Sequence, residues 1–310
     1  MTQSRRELSG VFTALVTPFT SGGEIDEPSL RALVRRQIAA GVAGLVPCGT
    51  TGESATLDPA EHERVVAIVA DEASHAGRPV RVLAGAGSND TRRTIALARA
   101  SIAAGADALL VVTPYYNKPT QAGLLAHFRA VADSVDAPIV LYNVPGRTGV
   151  NLLPETTLRL AEDERFIAVK EASGDLDQAS TILRRRPERF SVLSGEDSLT
   201  LPMMALGADG VIAVVSNEAP ELLVRLVELA RSGRSQEAAS LHAKLHPLMR
   251  ANFRESNPIP VKWVLSRLGL IGNHLRLPLT PLSEAHHAPL EEALAAAGLL
   301  PAPSLVEAAR

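Results

Sequence analysis

Residues 166–174 read FIAVKEASG. Phe166 to Val169 are apolar without a break, Lys170 and Glu171 follow at once, and Ser173 and Gly174 then loosen the chain. A run that is apolar at each position suits a parallel strand covered on both faces. Similar runs are GVFTALVTPF from Gly10, GLVPCGT from Gly44, VRVLAGAG from Val80 and DALLVVTPYY from Asp107. APIVLYNVPG from Ala137, FSVLSGED from Phe190 and GVIAVVSN from Gly210 complete a set of eight. Between them apolar residues return at helical spacing, as at Leu30, Leu33, Val34 and Ile38, or Ile95, Ala98 and Ile102. Gly41 and Gly105 close these two segments where a left-handed cap is wanted.

Strand–helix alternation calls for parallel crossovers, and eight units in roughly 230 residues match the size of a (β/α)8 TIM barrel. The predicted fold is therefore α/β, with a catalytic barrel over residues 1–234 and a C-terminal helical domain over 235–310. In that last part strand-like runs stop, and SQEAASLHAKLHPLMRANF, PVKWVLSRLGL and PLEEALAAAG read as helices. A doubly wound open sheet is the alternative. It needs G-x-G-x-x-G after the first strand, whereas GAGSND at Gly85 follows the third run and lacks the last glycine.

With 46% hydrophobic and 21% charged residues, the composition is that of a globular protein rather than a disordered one. A net charge of −3 without long single-sign runs gives no footprint for nucleic acid or an anionic membrane. The opening MTQSRRELSG is polar, and no apolar run reaches the roughly 20 residues that a bilayer requires. A cytoplasmic protein is expected. One cysteine, Cys48, excludes an intrachain disulfide and a cysteine metal cluster and is expected to pack at a strand end.

In such barrels the working site lies at the C-terminal ends of the strands. The polar residues delivered there are Gly49-Thr50-Thr51-Gly52-Glu53-Ser54, Thr113 to Asn117, Tyr142 to Arg147, Lys170-Glu171 and Ser194 to Asp197. Each of the three tyrosines, Tyr115, Tyr116 and Tyr142, is placed just past a strand end, either to work there or to fill the mouth or a subunit contact. GTTGES offers two hydroxyls and accessible amides, a cradle for a carboxylate or phosphate. It also reads as a capped helix start with Glu53 as first-turn acid.

Lys170 allows two readings. An interior lysine is stripped of water, which favours the free amine, the form that attacks a carbonyl and makes a Schiff base. Alternatively, its stem lines the barrel and its ammonium pairs with Glu171 or another acid. The surrounding hydroxyls favour the first reading, because imine chemistry needs proton carriers beside the nitrogen. Strand alternation also turns Glu171 away from the side that Lys170 faces. His242 with His246, and His286-His287, have the look of metal ligands but stand in the helical segment, away from the mouth, where packing or solvated roles are expected.

GTTGES, TPYYNKP, YNVPGRTG, VKEASG and ESNPIPVKW occur in this order. Together they closely resemble the dihydrodipicolinate synthase family of the pyruvate-dependent class I aldolases, over roughly Gly10 to Leu300. The resemblance implies that pyruvate forms an imine on Lys170, becomes an enamine, and attacks the aldehyde of L-aspartate 4-semialdehyde. It implies no cofactor beyond that covalent imine and no metal. Tyr142, Thr50 and Tyr116 would form a proton relay, with Tyr116 reaching into a neighbour's site across a dimer interface. Thr51 would hold the pyruvate carboxylate, Arg147 would meet the carboxylate of the semialdehyde, and Gly195 and Ile212 would line the pocket. Self-association as a homotetramer, a dimer of dimers, is implied as well.

N-acetylneuraminate lyase and the 2-keto-3-deoxy-sugar-acid aldolases resemble the chain in fold, lysine and tyrosine loop. They usually carry small or apolar residues where Arg147 stands, so the arginine favours the synthase. A non-catalytic relative that binds a keto acid is the remaining alternative. Ser54, Ala55, His62, Asn89 and Tyr115 match the family's feedback site for lysine. Pro59 and Arg93 stand where its histidine and glutamate usually are, and weak or absent inhibition is expected.

Overall fold

The structure, a computed structural model, describes residues 8–300. Residues 1–7 and 301–310, the outer ends of the two predicted parts, lie outside the described residues. The eight runs form strands β1 (Gly10–Ala14), β2 (Gly44–Val46), β3 (Arg81–Gly85), β4 (Ala108–Val112), β5 (Ile139–Asn143), β6 (Phe166–Glu171), β7 (Ser191–Ser194) and β8 (Gly210–Ala213). They pair in parallel and in chain order, and β8 closes on β1 through Phe12 opposite Ile212. This is the expected (β/α)8 barrel.

Helices α1 (Glu27–Ala39), α2 (Pro59–Ser74), α3 (Thr91–Ala103) and α4 (Gln121–Ala132) follow the first four strands. Two short helices, α5 (Pro145–Thr148) and α6 (Pro154–Ala161), follow β5. Next come α7 (Leu176–Arg185), α8 (Thr200–Ala205) and α9 (Pro220–Arg231). The chain then continues through α10 (Ser235–Ala251), α11 (Ile259–Arg267) and α12 (His287–Ala297). Start signals in the sequence account for many of these boundaries. Asp26, Asp58, Asp90, Thr120 and Asp175 each accept backbone amides of the helix that follows.

Strand alternation sorts the core into an inside and an outside. Phe12, Val46, Leu83, Leu110, Val140, Tyr142, Ala168, Leu193 and Ile212 fill the barrel interior as one cluster. The other face of the strands packs on the helices. Phe128, Leu141, Phe166 and Ile182 lie together around β4 to β7. Leu30, Val65, Leu223, Leu245, Val264 and Leu290 belong to a second outer cluster, so α10, α11 and α12 share one core with barrel helices α1, α2 and α9.

Candidate active site

Lys170 is the penultimate residue of β6, and its register partner on β5 is Tyr142. Both therefore point into the barrel. Lys170 is only 6% exposed, and its Nζ stands 4.4 Å from the centroid of the Tyr142 ring. No hydrogen bond or ion pair joins that nitrogen to another described residue. Gly195, after β7, gives the lysine stem its room: a Cβ there would lie 3.0 Å from Lys170 Cγ and 2.6 Å from Ala172 Cβ. Tyr142 itself lies within β5, not past its end as the sequence suggests.

Glu171 takes the opposite face, as alternation predicts. Its carboxylate accepts from the Ser173 amide at 2.7 Å, from Gln178 Nε2 at 3.0 Å and from Asn143 Nδ2 at 3.1 Å. It makes no ion pair among the described residues, so the reading of Lys170 as an ion-paired strand terminus fails.

After β2 the chain turns at Gly49–Gly52, with Gly52 N donating to Gly49 O at 3.1 Å. The amides of Thr50 and Thr51 donate to no other described residue and are available to an anion. Thr51 is buried, and its Oγ1 accepts from Asn257 Nδ2 at 2.9 Å. Gly85 lets β3 approach this turn, since a Cβ there would fall 2.2 Å from the Cys48 carbonyl oxygen. That contact, not nucleotide binding, explains the first glycine of GAGSND. Cys48 is buried as expected, and burial raises its thiol pKa well above the ordinary value.

Glu53 is not the first-turn acid of a helix. It sits in the left-handed region at φ 53°, and the helix beyond begins at Pro59 behind an Asp58 capping box. The Glu53 carboxylate is buried and accepts from Lys262 Nζ at 2.5 Å and from the Arg276 amide at 3.1 Å. Lys262 also donates to Thr17 O at 2.9 Å, and its Nζ lies 4.3 Å from the Phe19 ring centroid. Burial lowers the Lys262 pKa, and Glu53 opposes that shift. Sequence reasoning missed this pair, although a lone lysine in the apolar PVKWVL was its signal. The helical segment is therefore not remote from the mouth.

A cavity of about 530 Å³ opens here. Thr50, Tyr142, Val144 and Arg147 line one part of it, and Ser256, Asn257, Pro278 and Leu279 line another. Arg147 lies on α5, exposed, with no partner among the described residues. Ser54, Ala55, Pro59, His62, Arg93 and Tyr115 border the same cavity. His62 is buried, with Nε2 donating to Gly85 O at 2.7 Å, and burial lowers its pKa. Asn89 is adjacent in chain to this wall, and its carbonyl accepts from Asn117 Nδ2 at 2.9 Å.

Tyr116 is not brought to Lys170 within the chain. It is 89% exposed and held at φ 74°, where a tyrosine is strained. Ile212 faces the barrel interior and pairs with Phe12. Asp197, placed at the mouth by the sequence but given no role there, is buried and accepts from the Val214 and Val215 amides beyond β8. Burial raises its pKa to about 6, against those amides and the nearby Lys170 charge. The four candidate histidines form no metal centre among the described residues: His287 stacks on Trp263 at 4.8 Å, and His242 and His246 face each other at 5.6 Å.

The model of the dihydrodipicolinate synthetase family matches residues 7–297. This chain belongs to that family. It is 49% identical over 298 residues to the 4-hydroxy-tetrahydrodipicolinate synthase of Chlorobaculum parvum, covering 96% of this chain and 100% of the relative. Among solved structures, the chloride-inhibited dihydrodipicolinate synthase of Acinetobacter baumannii complexed with pyruvate is similar at 43% identity and TM-score 0.91. That match covers 94% of this chain and 99% of the other. A monomeric dihydrodipicolinate synthase variant is similar at 45% identity and TM-score 0.91, covering 94% and 98%. No helix among the described residues is long and apolar enough to cross a membrane.

Proposed function

We propose that this chain joins pyruvate to L-aspartate 4-semialdehyde and releases 4-hydroxy-tetrahydrodipicolinate and water, a step of diaminopimelate and lysine biosynthesis. The observation that carries the reading is Lys170, a buried primary amine that makes no hydrogen bond or ion pair with another described residue and is held against a tyrosine. Its lone pair attacks the pyruvate carbonyl carbon, and loss of water leaves an imine. The imine nitrogen draws electrons from the methyl carbon, which gives up a proton to form the enamine. That carbon bonds to the aldehyde carbon, whose oxygen takes a proton. The amino group of the former semialdehyde then displaces Lys170 from the imine carbon, closing the ring and freeing the enzyme. No cofactor is needed, because the lysine is the electron sink.

Tyr142 and Thr50 carry protons beside the nitrogen, and Tyr116 of a second copy completes the relay. Its exposure on a strained loop supports that reading, and with it a tight dimer repeated in a tetramer. The free amides of Thr50 and Thr51 take the pyruvate carboxylate. Arg147, unpaired at the cavity rim, takes the second substrate's carboxylate through its planar fork. A sugar acceptor has no use for that arginine. Arg93 and Pro59 leave the lysine-binding part of the cavity without an anion, so feedback by lysine is weak or absent.

The test is to incubate the protein with pyruvate, reduce with borohydride and weigh it. A pyruvate adduct on Lys170 supports the reading, and a folded sample that stays unmodified refutes it. Turnover with N-acetylmannosamine or glyceraldehyde but not with the semialdehyde refutes the choice of acceptor.

A further inference from the structure

Tyr142 and Lys170 are register partners across β5 and β6, and the next residues, Asn143 and Glu171, are partners in turn. Alternation puts the first pair inside the barrel and the second pair behind it, against the helices. There Glu171 is 2% exposed, and three N–H donors converge on its two oxygens. Asn143 Nδ2 bridges Glu171 to Asn151 Oδ1 at 2.8 Å, and Asn143 Oδ1 accepts from the Leu152 amide at 2.9 Å. Asn151 Nδ2 donates to Gln178 Oε1 at 2.8 Å, closing a ring of amides and one carboxylate. None of these four side chains has a buried polar atom without a partner.

We infer that Glu171 is a positioning residue that works from behind the barrel wall. The cluster ties the end of β6 to the end of β5, to α7 through Gln178, and to the segment after α5, which carries Arg147. Lys170 and Tyr142 are thus held in register from the face that substrate never touches. The chemistry of the clamp matters as much as its geometry. A carboxylate accepts at both oxygens, so three donors can meet it without a cation, whereas a glutamine would turn one N–H against another. Every donor is a neutral amide, so Glu171 is fully occupied on its own side. A buried acid is thereby kept one residue from the amine with its oxygens bonded elsewhere.

This inference rests on the imine reading of Lys170, and the experiment separates the two. The rate of borohydride-trapped adduct formation at saturating pyruvate, kcat and the pyruvate KM are measured for the natural chain, Glu171→Gln, Gln178→Ala and Glu171→Gln/Gln178→Glu. All are assayed at a temperature where near-ultraviolet circular dichroism shows them folded. Glu171→Gln is expected to lower the adduct rate and kcat by about a hundredfold, with KM changed by less than about threefold, because misplacing a reacting group by about 1 Å costs that much. Gln178→Ala, which leaves Glu171 with two of its three donors and also releases Asn151, falls between. The swapped pair restores a carboxylate facing an amide and recovers at least about tenfold, which a merely structural lesion would not do. Glu171→Gln at the natural adduct rate overturns the inference. So does a swap that restores melting temperature but not rate, or, should Glu171→Gln not fold, Gln178→Ala at the natural rate. A natural chain that forms no adduct refutes the imine reading instead, and the inference falls with it.

Discussion

Two lysines are buried at the mouth of this barrel, and they are opposites. Lys262 is 0% exposed, paired to Glu53 and bonded to the Thr17 carbonyl. Lys170 is 6% exposed and has an aromatic ring, but no hydrogen-bond acceptor among the described residues, beside its nitrogen. Burial alone does not make a nucleophile, because an amine held by a carboxylate and a carbonyl is committed to those partners. What separates the two is where the neighbouring acid points. Glu53 is bent by a left-handed backbone toward Lys262, while Glu171 is carried by strand alternation away from Lys170.

The strongest way to break this comparison is Lys170→Ala. It is expected to abolish the pyruvate adduct and lower kcat at least about a thousandfold, as removal of a nucleophile does. With no partner lost, the melting temperature should change by less than about 5 °C. Mass spectrometry and thermal denaturation check both. Lys262→Met should do the reverse: it strands the Glu53 carboxylate and costs about 3–5 kcal/mol in urea unfolding. Adding Glu53→Gln should restore most of that loss, and failure to do so would mean the pair does not act as a unit.

Arg147→Ala sharpens the division of labour around Lys170. The loss of a charge-assisted contact to the second substrate should raise the semialdehyde KM about 10- to 100-fold, while imine formation is unchanged. Steady-state kinetics beside adduct trapping separates these, and equal damage to both refutes the assignment. The smallest effect concerns Asp197, the enclosed acid that feels the Lys170 charge. Its folded-state value, about 6, lies above the ordinary carboxylate value, so between roughly pH 4 and 6 the folded protein binds a proton that the unfolded chain has released. Its contribution is greatest below that window and is lost as pH rises through it, by at most about 1.4 kcal/mol per unit. The stability gap between the natural chain and Asp197→Asn should therefore shift toward the natural chain when unfolding is measured at pH 5 instead of pH 7.

Sequence by itself determined the barrel, because eight runs apolar on both faces have few other ways to be covered. It also determined that Lys170 and Glu171 face opposite ways, since the period of a strand is two and local chemistry cannot change it. GTTGES and Arg147 were legible as anion contacts from their residue types alone. What only the tertiary structure decided is who meets whom across long chain separations. Lys262 finds Glu53, Asn257 finds Thr51 and Gln178 finds Glu171 through packing. No periodicity encodes those meetings. The helical segment looked separate because helical spacing describes only its own faces, while its apolar side closes on the barrel helices and brings its one buried lysine to the mouth. Whether a buried charge is neutralised or left free depends on atoms within about 4 Å, and only the folded chain sets those distances.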